Sequence, residues 1–134
     1  RLLARDRSVF MLTRRIAGKP PKPPVREPTH DTVHFCSGWY PNKGTGRAMA
    51  NGHAGFWVYG GTTLRMFLRS YKGFRLQISV DGSPRIRTRI GPLREIRVAL
   101  RSERWHLVTF DGTLPKVNGR PEGARLQAYA IDAT

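Results

Sequence analysis

Residues 74–90 read FRLQISVDGSPRIRTRI. Phe74, Leu76, Ile78 and Val80 alternate with Arg75, Gln77 and Ser79, the period of two that a half-buried strand requires. Asp81-Gly82 follows as a turn pair, since both residue types tolerate the left-handed backbone of a tight turn. Ile86, Thr88 and Ile90 then alternate with Arg85, Arg87 and Arg89. Two alternating runs about a turn, each apolar on one face and basic on the other, predict a mainly β chain.

The same pattern extends in both directions. Thr32 to Cys36 is a short candidate strand, and residues 41–55 form a long Gly- and Asn-rich loop. Phe56 to Tyr59 and Thr63 to Arg69 flank Gly60-Gly61, a hairpin-like signal. The four consecutive apolar residues at 56–59 require one pair to face outward, either Phe56 with Val58 or Trp57 with Tyr59. Trp105 to Phe110 reads as a strand closed by Asp111-Gly112, with Trp105 in the core beside Leu107. A second loop covers 113–123, and Arg125 to Ile131 is the last strand.

Residues 92–105, PLREIRVALRSERW, fit either element. As a strand they alternate Ile96, Val98 and Leu100. As a helix they place Pro92 first and turn Leu93, Ile96 and Leu100 inward. The helical reading is slightly favoured, and it lines Arg94, Arg97, Arg101 and Arg104 along one exposed stripe. The fold expected is a small antiparallel sheet or barrel-like domain over residues 29–134 with at most one short helix, α+β being the alternative.

Residues 1–28 are a different regime, a basic, Pro-rich N-terminal arm. RLLARDRSVFMLTRR carries Arg1, Arg5, Arg7, Arg14 and Arg15 against Asp6, and Leu2, Val9, Leu12 and Ile16 share a helical face. Pro20, Pro21, Pro23, Pro24 and Pro28 then impose an extended spacer. The arm suits threading over RNA or along a neighbouring protein. A presequence remnant has the same composition.

The 134 residues fit one domain plus a tail, and 24 Lys+Arg against 9 Asp+Glu give a net charge of +15. At 39% hydrophobic the chain has material for a core, so wholesale disorder is excluded. No apolar run approaches the ~18 residues of a spanning helix. A single cysteine, Cys36, excludes an intrachain disulfide framework and reads as a small buried hydrophobe. His30, His34 and Cys36 lie close together without a second ligand cluster, so no metal site is expected. The few acids sit in turns or beside arginines, so no catalytic constellation and no cofactor are expected either.

What the sequence does offer is arginine: 19 of the 24 cations. Arg grips phosphate bidentately and stacks on bases. On a strand, Arg85, Arg87 and Arg89 project to one side ~6–7 Å apart, near the phosphate repeat of a nucleic-acid strand. Arg75 extends that row on the neighbouring strand, and Arg94, Arg97, Arg101 and Arg104 add a second stripe. The loop Asn42-Lys43-Gly44-Thr45-Gly46-Arg47 has a phosphate cradle's composition without a nucleotide-binding motif, leaving Lys43 and Arg47 as contacts. Trp39, Tyr40, Phe56, Trp57, Tyr59, Phe67 and Tyr71 are the rings available for stacking. Alternatively, the arginines form a solvated outer face that keeps sheet edges unpaired.

Basic arm, Pro-rich spacer, small β domain and Gly-rich loops together resemble ribosomal proteins as a class, in composition and not through any motif. The expected function is a non-enzymatic RNA-binding component of a large ribonucleoprotein, an organellar (mitochondrial) ribosome in its narrowest form. Its partners would be rRNA and neighbouring proteins, with no small-molecule substrate. The alternatives are a free-standing RNA-processing or single-strand-binding factor, and an accessory subunit of a protein-scaffolded membrane complex or capsid-type shell. The last of these requires apolar outward patches around 56–59.

Overall fold

A computed structural model describes residues 23, 32–36, 39–41, 46–49, 53–70, 73–113, 116–117, 120–121 and 126–134. The arm, with Arg5, Arg7, Arg14 and Arg15, lies outside the described residues apart from Pro23, and so does Lys43. Twelve strands follow in order: β1 (Val33–Phe35), β2 (Trp39–Pro41), β3 (Arg47–Met49), β4 (His53–Gly60), β5 (Thr63–Ser70), β6 (Phe74–Val80), β7 (Ser83–Ile90), β8 (Arg94–Ala99), β9 (Arg104–Thr113), β10 (Lys116–Val117), β11 (Arg120–Pro121) and β12 (Leu126–Ala133). They build two five-stranded antiparallel sheets, ordered β1-β4-β9-β6-β7 and β2-β3-β12-β5-β8, while β10 and β11 form a two-residue ladder. Among the described residues there is no helix.

The two sheets pack face to face because alternation gives each one apolar side. The first contributes Ala54, Phe56, Val58, Leu76, Ile78, Val80, Ile90, Val108 and Phe110 to a shared core. The second contributes Leu64, Met66, Leu68, Ile96, Val98, Leu100, Leu126 and Ala128. At one end the rings of Phe56 and Phe110 meet edge to face, centroids 5.8 Å apart, and Trp39 adds a third ring 5.7 Å from Phe110. Trp39 Nε1 donates to the Gly55 carbonyl at 2.8 Å, and the Cys36 amide donates to the same oxygen at 3.0 Å.

The β6–β7 hairpin forms as its alternation demands, with Asp81 and Gly82 at φ +52° and +80°. A bulge between Ile78 and Ser79 accommodates one extra residue on β7. The Gly60-Gly61 pair makes no hairpin, because β4 pairs with β9 and β5 with β12 and β8. It is the corner at which the chain passes from one sheet to the other. A Cβ at Gly60 would lie 2.8 Å from Ala133 Cβ, and one at Gly61 would lie 2.9 Å from Glu103 Cα. The Thr134 carbonyl accepts the amides of Gly61, Thr62 and Thr63 there. Asp111-Gly112 likewise lies inside β9 and not at a turn, since both residues pair with β6. The long loop at 41–55 is interrupted by β3 and the start of β4.

Residues 94–99 are a strand, against the helical preference. Ile96 and Val98 must cover Met66 and Leu64 of β5, which a period of two allows and a helix does not. Leu93, inward in a helix, is 55% exposed.

Asp81 anchors the hairpin tip. Its Oδ1 accepts the Leu107 amide at 2.9 Å, and its Oδ2 lies 2.9 Å from Arg104 Nη2 and 2.7 Å from His106 Nδ1. Asp81→Ala leaves the Leu107 amide and the buried His106 without that acceptor, so it should lower unfolding stability by about 3 kcal/mol in a denaturant titration. Asp81→Asn keeps the turn conformation and one acceptor and should lose about half as much. Burial also raises the Cys36 thiol to about 11. Iodoacetamide should therefore modify it slowly at pH 8, the rate rising about tenfold per pH unit up to pH ~10, as a raised thiol pKa requires. A rate that levels off near pH 9 would contradict this burial.

Candidate nucleic-acid interface

Residues directly opposite on antiparallel strands share a face, so register maps the outward side of the first sheet. One row runs Arg75–Arg89 across β6 and β7. The next runs His53–Asp111–Gln77–Arg87, and the third Gly55–Thr109–Ser79, with Arg85 beside Ser79 at the bulge. Beyond these lie His34–Trp57–Leu107 and Tyr59–Trp105. The basic residues thus gather on β6 and β7, and the rings on β1, β4 and β9.

The sequence therefore places Arg75, Arg85, Arg87 and Arg89 together, as expected. Arg87 Nε donates to Gln77 Oε1 at 2.8 Å. Arg89 passes over the backbone of Gly73, where a Cβ would lie 2.6 Å from its Nη2 and where φ is +72°. That contact carried no sequence signal, because Gly73 belongs to no recognisable turn pair. The carboxylate of this face among the described residues is Asp111, held by His53 Nδ1 at 2.9 Å. Arg75, Arg87, Arg89, Gln77, Asp111 and Gly112 border an open cleft of about 570 Å³.

The second stripe does not form. On a strand, Arg94 and Arg97 point to opposite sides, and Arg101 and Arg104 lie beyond β8's end. Arg94 Nη1 donates to Thr88 Oγ1 at 3.3 Å, across the seam between the two sheets. Arg97 pairs with Glu95 at 2.7 Å, Arg104 pairs with Asp81, and Arg101 is exposed. Arg47, from the predicted phosphate loop, lies on β3 with its guanidinium 4.9 Å from the Phe35 ring centre.

The two sheets treat like charges differently. On the second, Arg65 and Arg97 stand opposite each other, and Glu95 lies 3.8 Å from one and 2.7 Å from the other. Arg69 there donates to Gln127 Oε1 and to the Tyr129 hydroxyl. On the first sheet Arg75 and Arg89 also stand opposite each other, with no carboxylate partner among the described residues. Like charges directly opposite on a sheet are destabilising unless something offsets them.

The aromatic expectations divide. Phe56 is core and Phe67 lies on the second sheet's outer face beside Arg65. Trp57 and Tyr59 are the outward pair of 56–59, both half-buried. Trp105 shares their face instead of the core, edge to face with Tyr59 at 5.5 Å and with His34 at 5.1 Å. The parity with Leu107 holds, but that parity is the outward one, and Leu107, directly opposite Trp57, is buried there. Tyr71 lies outside the described residues. Among the described residues no three His, Cys, Asp or Glu side chains converge, and no helix is long and apolar enough to cross a membrane.

No family model and no curated protein matches the chain. Among solved structures it is similar to the secreted serine protease VesC from Vibrio cholerae, with a TM-score of 0.56 and 11% identity over 78% of this chain and 24% of that one. It is also similar to CBM35 from Paenibacillus barcinonensis (0.46, 14%, 78% of this chain and all of that one). An exo-beta-1,3-galactanase from Phanerochaete chrysosporium follows (0.42, 12%, 83% of this chain and 30% of that one). The chain spans about a quarter of the length of the protease, and the likeness is one of fold.

Proposed function

We propose that this chain is a non-enzymatic RNA-binding component of a large ribonucleoprotein, an organellar ribosome in the narrowest form of the reading. The β6–β7 face takes the phosphate backbone. The observation that carries the reading is the contrast between the sheets: the opposed Arg65 and Arg97 share a carboxylate, whereas the opposed Arg75 and Arg89 have none among the described residues. A polyanion supplies the missing countercharge. Spacing of two residues along β7 sets successive guanidinium groups ~6–7 Å apart, within reach of successive phosphates of an extended strand.

A second reading draws on the outward cluster of half-buried Trp57, Tyr59 and Trp105 with the exposed His34 beside them. Such an outward apolar patch suits an accessory subunit docked on a protein neighbour. Sedimentation of the native particle separates the two. Collapse of the particle on RNase treatment supports the ribonucleoprotein, and survival supports the protein scaffold.

Direct binding is measured with a fluorescent polyuridylate oligomer titrated at several salt concentrations. Arg75→Gln, Arg87→Gln and Arg89→Gln together should lower the log–log salt slope by about 2, at ~0.7 per phosphate contact for single strands. Affinity near physiological salt should fall about 10- to 100-fold, from 0.5–1 kcal/mol per exposed contact. An unchanged slope would remove this face from the interface.

A further inference from the structure

Three buried polar atoms on the first sheet's outer side have no hydrogen-bond partner among the described residues: Trp57 Nε1, Thr109 Oγ1 and Arg85 Nε. Buried polar groups are otherwise nearly always paired, and each unpaired one opposes folding. Three in one small domain could be scattered accidents, but here register gathers them. Thr109 sits on β9 between Gly55 and Ser79. Trp57 is one row away on β4, and Arg85 stands beside Ser79 at the β7 bulge. Thr109 is only 1% exposed. Gly55, opposite it, contributes no side chain to fill the space between Trp57 and the basic strands.

The chemistry of the set is one-sided. An indole N–H and a guanidinium N–H can only donate, and the Thr hydroxyl can donate as well. Two acceptors of this face have partners of their own: Ser79 Oγ lies 3.5 Å from Gln77 Nε2, and Asp111 pairs with His53. Unpaired donors on adjacent rows of one face, one of them carrying a fixed positive charge, favour an anionic oxygen. We propose that Trp57 Nε1, Thr109 Oγ1 and Arg85 Nε form a seat for one phosphoryl oxygen of the RNA backbone, so that bound RNA is held at a defined point as well as along a diffuse basic strip. Trp57 and Arg85 are half-buried residues whose donor atoms are buried, so seating an oxygen requires their side chains to shift. The inference rests on the RNA reading above and adds to it a short-range contact that salt does not screen away.

The seat has a signature that a purely structural role lacks. Removing a donor that is unpaired in the ligand-free protein relieves a folding cost while weakening the complex. Thr109→Val is nearly isosteric. In the full chain it should raise the thermal midpoint by about 3–5 °C and weaken polyuridylate binding about tenfold, the loss of one hydrogen bond to a charged group. The salt slope should stay the same, since no charge is removed. Trp57→Phe should weaken binding similarly, and Thr109→Ser, which keeps the hydroxyl, should bind within twofold of the parent.

A lower midpoint with unchanged binding would mean that the donors hold an enclosed water, and the proposal falls. Unchanged binding with an unchanged midpoint also overturns it. If Thr109→Val lowers both, the serine variant decides: restored binding upholds the seat, and continued loss assigns the effect to packing. Should the Arg75, Arg87 and Arg89 substitutions abolish binding while these variants do not, the seat is wrong and the basic face stands. A parent chain that binds no RNA fails the wider reading instead.

Discussion

Asp81 reinforces at the turn the hold that strand pairing gives β9 over the β6–β7 hairpin, on which the arginine face is built. A hairpin carrying Arg75, Arg85, Arg87 and Arg89 repels itself, and β7 lies at a sheet edge with one neighbour. The carboxylate at the turn binds the Leu107 amide and Arg104 and faces His106, fixing the tip to the central strand of the first sheet. His106 is in turn held on its far side, with Nε2 3.1 Å from the Gly60 carbonyl and 2.7 Å from that of Ser102. One side chain in a left-handed turn thereby couples the basic hairpin to the corner where the chain changes sheets. Charge repulsion on the face is carried by contacts made elsewhere.

The turn contacts thus lie at one end of the hairpin and the opposed Arg75 and Arg89 at the other. The cost of burying Asp81 partly is offset by three partners, and the seam is closed by Arg94 reaching Thr88. The second sheet keeps its own arginines neutralised or hydrogen-bonded, through Glu95, Gln127 and Tyr129. Tyr129 also requires glycine at position 46, since a Cβ there would run into its ring. One face is thus finished internally, and the other has cations and donors left over. Solvation by itself gives the outer faces of the two sheets no reason to differ in this way.

The mainly β architecture was legible because period-two alternation over 74–90 is long, regular and interrupted by a turn pair whose backbone needs are specific. The basic face followed from the same parity, since Arg75, Arg85, Arg87 and Arg89 occupy one phase. Local pattern failed where the deciding contact is distant. Gly60-Gly61 looks like a turn until Ala133 and Glu103 are seen pressing on it. Residues 94–99 satisfy both periods, and only the apolar face of β5 selects the strand. Trp105 shows a subtler limit: parity tells which residues share a side, but not which side meets the other sheet. The orphan donors were invisible too, because nothing in one strand reveals that Thr109, Trp57 and Arg85 fall on neighbouring rows of one face.

Edge protection is the strongest competing account of the arginines, and geometry limits how far it reaches. Charged side chains on an edge strand discourage pairing with another sheet. That accounts for β7, and for Arg94 and Arg97 on β8, the edge of the second sheet. It does not account for Arg75, because β6 lies between β9 and β7 and has no open edge to guard. Nor does it explain why Arg75 stands opposite Arg89, where a glutamate would protect the edge equally well and remove the repulsion. Edge protection also predicts paired or fully hydrated groups, whereas Arg85 Nε is buried and unpaired beside the bulge. Of the positions that edge protection leaves unexplained, Arg75 and Arg89 border the cleft, and the phosphate backbone proposed to lie across β6 and β7 would supply their countercharge.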